Sequence, residues 1–178
     1  SVPLPKPPAV LEERCRELVR EFGPSAPIAD EISVLKPNMK YLLRLASEPP
    51  QRDGWQRVRT PQPPGLLYAY RSHTSLHGRV NAAAIGSWMS DPPLDQPGMC
   101  RVAVDPQARL RELEIVPPVQ LDPLRLTAVA PVWERLLVAA GFDPAELAAA
   151  VPMVTPPFFA DQRAAWVGHY PDSPTTPM

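Results

Sequence analysis

Prolines interrupt this sequence along its whole length and limit what it can fold into. The chain has 27 prolines among 178 residues, about three times the average frequency of ~5%. Many come in pairs: Pro7-Pro8, Pro49-Pro50, Pro63-Pro64, Pro92-Pro93, Pro117-Pro118 and Pro156-Pro157. Each proline removes a backbone donor and disfavours helix in the residue before it. Because hydrophobic residues still make up 44% of the chain, we expect a folded protein built from short elements.

The length and charge of the chain indicate how many domains it has and which kinds of partner it binds. A chain of 178 residues suits one domain, with a subdomain break near residues 117–131 as the alternative. Residues 1–8 and 171–178 are expected to be extended tails. The net charge of −1 gives no reason to expect a nucleic-acid partner. No apolar run approaches the ~18 residues that span a bilayer, so we expect a soluble fragment that does not itself insert into a membrane.

Two segments in the first third of the chain show helical periodicity. In "AVLEERCRELVREF", residues 9–22, Leu11, Cys15, Leu18 and Phe22 recur at helical spacing. Gly23 follows as a natural helix stop. The segment "NMKYLLRLAS", residues 38–47, predicts a second, shorter helix.

The middle of the chain shows the alternation that is typical of strands. "GLLYAYRSH", residues 65–73, is rich in Tyr and Leu. Residues 99–104 and 110–116 alternate in the same way and flank Asp105-Pro106, which favours a turn. These segments predict an antiparallel hairpin. The chain as a whole is therefore expected to have an α+β fold: a small antiparallel sheet with helices packed on one side.

Capping signals predict short helices in the last third. "PVWERLLVAAG" has proline at its start and Gly141 at its end. "DPAELAAA" follows with Asp143 as N-cap, Pro144 as first helical residue and Glu146 three positions after the cap.

The aromatic stretch "TPPFFADQRAAWVGHYPDSP" has a structural and a ligand-binding interpretation. Asp161 is expected to cap a short helix over residues 162–167. Phe159 and Trp166 are seven residues apart, so a helix that starts early enough would put both on one face. We favour the structural interpretation, in which both rings point into the core.

The cysteines and histidines give only weak indications of a disulfide or a metal site. Cys15 and Cys100 lie far apart in the sequence. We expect two free, mostly buried thiols, and the alternative is a disulfide if the compartment is oxidising. His73 and His77 are four residues apart, but in a strand and loop without a third ligand they predict surface or turn histidines rather than a metal site. We expect no metal and no cofactor.

A second aromatic set is the candidate ligand-binding site. Tyr68 and Tyr70 share one face of a predicted strand, and Trp88 lies downstream. Aromatic walls with a few polar groups make binding clefts, and Arg71 could hold an anionic group there. The alternative is that these rings only pack in the core, and the sequence does not separate the two.

The order of these motifs resembles a segment of bacterial serine/threonine protein kinases of the eukaryotic-like type. The motifs are "LEERCRELVREFG", "GLLYAYR", "DPPLDQPGMCRVAVDPQARLRELEIVPP" and the aromatic stretch, and they cover residues 7–174. In such kinases the segment lies C-terminal to the kinase domain, beyond a membrane-spanning helix. The resemblance implies no particular binding residue.

The function implied by the resemblance is that of a non-catalytic, extracytoplasmic sensor or interaction domain in signal transduction. It would bind a small ligand or a protein partner, and a homodimer is a further expectation. The chain has no glycine-rich loop, HRD or DFG motif, so we expect no catalytic residue and no phosphoryl transfer by this fragment. Two alternatives stay open: a structural or dimerisation module, and a stand-alone hydrolase with an unrecognised site.

Overall fold

The computed structural model describes residues 4–47, 62–76, 92–117, 132–153, 155, 160 and 162–177. The helices are α1 (Pro8–Phe22), α2 (Met39–Ser47) and α3 (Trp133–Ala139), and a 3₁₀ helix spans Pro144–Glu146. The strands are β1 (Asp30–Pro37), β2 (Leu66–His73), β3 (Cys100–Val104), β4 (Leu110–Ile115), β5 (Ala148–Ala150), β6 (Ala165–Val167), β7 (His169–Tyr170) and β8 (Ser173–Pro177). This is an α+β fold, as the sequence predicts.

Helix α1 forms where the apolar stripe predicts it. Pro8 is its first residue, a position where the missing N–H costs nothing. Leu11, Cys15 and Leu18 are buried on one face. The helix ends at Gly23, whose N–H donates to the Val19 carbonyl at 2.8 Å. A side chain at this glycine would meet that carbonyl at 2.6 Å, so glycine allows the tight exit into the next segment.

The main sheet has the strand order β1-β2-β3-β4, and all neighbouring strands are antiparallel. The predicted hairpin is confirmed: β3 pairs with β4, and Val102 lies opposite Leu113. Strand β1 has no counterpart among the predicted elements, because its alternation is short and stops at Pro37. Its eight residues pair with β2 along the whole length of that strand.

The core lies between α1 and one face of this sheet. That face carries Tyr68 and Tyr70 from β2 and Val102 and Val104 from β3, and all four are buried. Both cysteines are buried here and free, so the prediction of unpaired thiols is confirmed. Burial raises the pKa of Cys15 to about 12 and the pKa of Cys100 to about 11, which keeps both thiols protonated and poorly nucleophilic at neutral pH.

The helix predicted from "DPAELAAA" is wrong beyond its first turn. Asp143 is the expected cap, because its Oδ1 accepts from the Ala145 N–H at 2.9 Å. The helix stops after Pro144–Glu146, and Ala148–Ala150 continue as strand β5. Pro152 follows closely and disfavours helix in the residue before it, and pairing with β6 gives these alanines an alternative to the helix.

The helix predicted over residues 162–167 is also wrong. Ala165–Val167 form strand β6, which pairs with β5. Trp166 is half-buried and packs on Trp133, with ring centroids 6.0 Å apart and planes tilted by 60°. It therefore does not point into the main core. Asp161 and Phe159 lie outside the described residues. The expected C-terminal tail is extended, but its residues pair with β7 as strand β8.

Candidate functional site

A polar cluster lies where α1 faces the edge of the main sheet. Two of its members are the predicted tyrosines. The Tyr70 hydroxyl donates to Glu31 Oε2 on β1 at 2.6 Å. The Tyr68 hydroxyl lies 3.0 Å from Glu12 Oε2 on α1 and 2.8 Å from Ser33 Oγ on β1. The rings thus belong to the core, while their hydroxyls anchor carboxylates at its rim.

Arg16 stands at the centre of this cluster. Its guanidinium binds Glu31 at two points: Nε donates to Oε2 at 3.0 Å and Nη2 donates to Oε1 at 2.6 Å. It also pairs with Glu12 and Glu13 of its own helix. Glu13 in turn accepts from Arg20 at 3.0 Å. The two-point geometry fixes the position of β1 relative to α1.

The cluster carries fixed charges at neutral pH. The hydrogen bonds from Arg16 hold the pKa of Glu31 below its usual value, and the Tyr70 hydroxyl adds to this effect. The same Glu31 carboxylate raises the pKa of Arg16. Burial, and then the hydrogen bond to Glu31, raise the pKa of Tyr70. All three shifts move away from neutral pH, so the arrangement suits recognition of a charged or polar group better than proton transfer.

An open groove of about 720 Å³ borders the cluster, and we call it the α1 groove. Arg16, Val19 and Arg20 of α1 form one wall. Residues 24–29, which connect α1 to β1, form the other wall, and Glu31 lies at its end. Its lining is therefore mixed: Val19, Ile28, prolines and alanines supply apolar surface, and Arg16, Arg20, Ser25 and Glu31 supply polar and charged groups.

A second cluster ties the β3–β4 turn to the C-terminal region. Asp105 is fully buried and accepts from Arg109 Nε at 2.8 Å and from Arg111 Nη2 at 2.6 Å. Arg109 also pairs with Asp172, and the Arg111 guanidinium lies 5.9 Å from the Phe142 ring centroid. Two cations and two carboxylates balance here, which is typical of a structural ion network.

Among the predicted site residues that the structure describes, Arg71 does not lie beside the two tyrosines. Tyr68 and Tyr70 face α1, but Arg71 alternates to the opposite face of the sheet, where it is buried and donates to the Pro93 carbonyl at 3.3 Å. Trp88 lies outside the described residues. Ligand binding by this set stays a prediction.

His73 is expected from the sequence to be a surface or turn histidine, and it is not on the surface but at the buried end of β2. It is buried, with Nδ1 2.6 Å from the Ser75 carbonyl and Nε2 3.3 Å from the Pro97 carbonyl. It thus ties two loops together. His77 lies outside the described residues. In the described part of the chain, no group of three or more His, Cys, Asp or Glu residues could hold a metal ion.

Arg16, Glu12 and Glu31 are not among the site residues that the sequence predicts. Glu12 and Arg16 have the i, i+4 spacing of a helical ion pair, which a search along α1 would find. The contact of Arg16 with Glu31 depends on strand β1, which carries no strong signal of its own. Folding alone brings these two residues together.

No family model, curated protein or solved structure matches the chain. Among the helices that the structure describes, none combines the length and the apolar character needed to cross a membrane.

Proposed function

We propose that this chain is a non-catalytic, extracytoplasmic sensor or interaction domain of a bacterial transmembrane serine/threonine protein kinase. It binds a small ligand, or a short segment of a protein partner, in the α1 groove. The kinase parent and the extracytoplasmic location rest only on the resemblance of the sequence motifs. The binding role rests on the α1 groove, which is the single observation that carries it.

The dimensions and chemistry of the α1 groove support this role. Its volume of about 720 Å³ falls in the range of ~300–1,000 Å³ that small-molecule sites occupy. The apolar part of the lining, from Val19, Ile28, prolines and alanines, favours a ligand with an apolar body. The charged side chains of Arg16, Arg20 and Glu31 in the lining favour a ligand with a polar or charged end, and they orient it.

The position of the α1 groove suggests how binding is transmitted. A ligand there touches both α1 and residues 24–29, which lead directly into β1. It would favour whichever arrangement of these two elements fits it best. In a kinase that spans the membrane, such a preference shifts the equilibrium between arrangements of the whole protein.

The groove is tested by screening a fragment library with two-dimensional NMR of the labelled chain. We expect fragments with an apolar body and a polar end to shift the amide signals of Arg16 and of the four non-proline residues of the loop, Ser25, Ala26, Ile28 and Ala29. Ala26→Trp places a large ring in the groove and should abolish these shifts. Ala46→Trp, on the exposed surface of α2, is the matched control and should retain them. Unchanged binding by the Ala26→Trp protein would show that the groove is not the site.

The kinase parent is tested separately by sequencing the complete reading frame. We expect a kinase catalytic domain and a membrane-spanning helix N-terminal to this segment. A reading frame without a kinase domain would overturn the signalling role and leave the result for the groove unaffected.

A further inference from the structure

We infer that two copies of this chain associate through strand β1, which extends the four-stranded sheet of each copy into one continuous eight-stranded sheet. This inference concerns a surface other than the α1 groove and does not depend on ligand binding. It rests on the position of β1 at one end of the described sheet, on the sequence of that strand and on the position of α1.

Strand β1 has an outer edge that could pair with another strand. It is one of the two end strands of the main sheet, and in the described ranges no strand pairs with its outer side. The Asn38 N–H donates to the Gly65 carbonyl at 2.9 Å, which fixes the even-numbered positions as those that bond to β2. The backbone groups of Glu31, Ser33 and Leu35 therefore point outward. An edge of this kind is a template for another strand.

The sequence of β1 is complementary to itself when two copies run antiparallel. If Ser33 lies on the two-fold axis, Asp30 stands opposite Lys36 of the second copy, and Ile32 stands opposite Val34. These four positions share one face of the sheet, and each pairing occurs twice. Opposite charges and apolar pairs at facing positions both stabilise a sheet. The outward groups of the strand can form roughly six hydrogen bonds in this register.

Other registers lose this match. A shift of the axis to Val34 places Ile32 opposite Lys36 and puts Glu31 opposite Pro37, which has no N–H to donate. A lysine on an edge strand normally blocks pairing with other chains. In the proposed register, Asp30 of the second copy neutralises Lys36. The lysine therefore disfavours pairing with other strands but not with a second copy of β1.

The position of α1 leaves room for the second copy. The helix packs mainly over β2 and β3, and a two-fold axis perpendicular to the sheet puts both copies of α1 on the same face. The two helices then lie about four strand spacings apart, roughly 19 Å. Packed helices need only ~10 Å between their axes, so they do not collide.

The side chains at the proposed interface are available for contact. Val34 is 42% exposed and Leu35 is 39% exposed. Ile32 lies on the same face as Val34 and is half-buried, and pairing would cover more of both side chains. Leu35 lies on the opposite face, where Glu31 of the second copy would stand opposite it. A monomer would leave these side chains in water along an unpaired edge.

The experiment uses two charge variants, alone and mixed, in sedimentation velocity. Asp30→Lys places a second lysine opposite Lys36 in its own dimer, and Lys36→Asp places two aspartates opposite each other. Each variant alone should raise the dimer dissociation constant about tenfold or more. An equimolar mixture restores both opposite-charge pairs in the heterodimer and should recover dimer formation.

The mixture distinguishes the loss of ion pairs between two chains from the loss of contacts within one chain. Lys36 also lies 3.5 Å from Glu112 of its own chain, and mixing cannot restore that contact. Leu35→Pro provides a second variant, because it removes an outward N–H and keeps every bond to β2; it should abolish the dimer while the far-UV circular dichroism spectrum is retained.

Three results would overturn the inference. One is a parent chain that stays monomeric at about 1 mM, whether or not the edge accepts a strand of another protein. The second is a mixture of the two charge variants that does not recover the dimer. The third is a Leu35→Pro protein that dimerises as the parent does.

Discussion

Two regions of this molecule are held together in different ways. All buried side chains that the structure describes lie between Leu11 and Leu110, in α1 and the main sheet and the segments connected to them. In the described part of residues 132–172, no side chain is buried. That second region relies on ring contacts, such as Trp133 with Trp166 and Phe142 with Tyr170, and on short strand pairs.

The difference indicates that stability is unevenly distributed. Buried apolar contacts contribute most of the free energy of folding, so α1 with its sheet should open only on global unfolding. The C-terminal region should open locally at lower cost. The buried Asp105 cluster connects the two regions through Asp172 and Phe142.

The largest effect is expected at Asp105. Asp105→Ala leaves the cations of Arg109 and Arg111 without their buried carboxylate, which typically costs ~3–5 kcal/mol. Glu114→Ala in the same hairpin is the matched control, because its ion pair with Arg101 is partly exposed on both sides and should contribute only ~0–1 kcal/mol. Urea unfolding measures both. Equal losses from the two variants would show that burial of Asp105 does not set its contribution.

A core truncation should be nearly as costly in the first region. Leu18→Ala removes a fully buried side chain from α1 and should cost ~2–5 kcal/mol. Val138→Ala makes a similar truncation on α3, where the side chain is 62% exposed, and should stay within ~0.5 kcal/mol. Urea unfolding of both variants gives the loss of unfolding free energy for each. A loss above ~2 kcal/mol from Val138→Ala would show that the second region has a core of its own.

Trp166→Ala should weaken the C-terminal region alone. The tilted contact with Trp133 and the half-buried ring suggest a loss of ~1–2 kcal/mol. Hydrogen exchange should show faster local opening at the β5 and β6 amides and little change at β2 and β3. Val167→Ala, on the exposed face of the same strand, is the control and should leave both sets unchanged. A matching loss of protection in β2 and β3 would mean that the two regions unfold together.

The same contrast explains which elements could be predicted from sequence. The stripe of Leu11, Cys15 and Leu18 and the alternation of Val102 and Val104 exist because those positions are buried on one face. Burial leaves a periodic pattern that can be recognised. In the C-terminal region few side chains are buried, so burial leaves no periodic pattern in the sequence. The prediction there depends on helix propensity and capping signals alone. The pairing of Ala148–Ala150 with Ala165–Val167 as strands overrides both.

For a related reason, only part of the candidate site could be predicted from the sequence. Tyr68 and Tyr70 were recognised because they alternate on a buried strand. Their hydroxyl partners Glu12 and Glu31 come from two other elements, and no local spacing connects these partners. The groove beside them is formed by α1 and residues 24–29, so its existence depends on packing rather than on a motif.

The smallest effect is an acid dependence that belongs to the first region. Arg16 holds the pKa of folded Glu31 below the ordinary value of 4.5. A carboxyl with a lowered pKa stabilises the fold fully above its unfolded value and loses that contribution as pH falls through the folded value. Solvent limits the contribution to about 1 kcal/mol or less, because the Glu31 side chain is 36% exposed.

Glu31→Gln isolates this contribution because it keeps the shape of the side chain and removes the titration. Between about pH 6 and about pH 3, the parent should lose more stability than the variant, and the difference should develop below the unfolded pKa. Urea unfolding across that range measures both slopes. Parallel slopes would mean that the Arg16–Glu31 contact does not stabilise the fold, and the anchoring of β1 on α1 would then depend on the Tyr68 hydroxyl and the core beneath it.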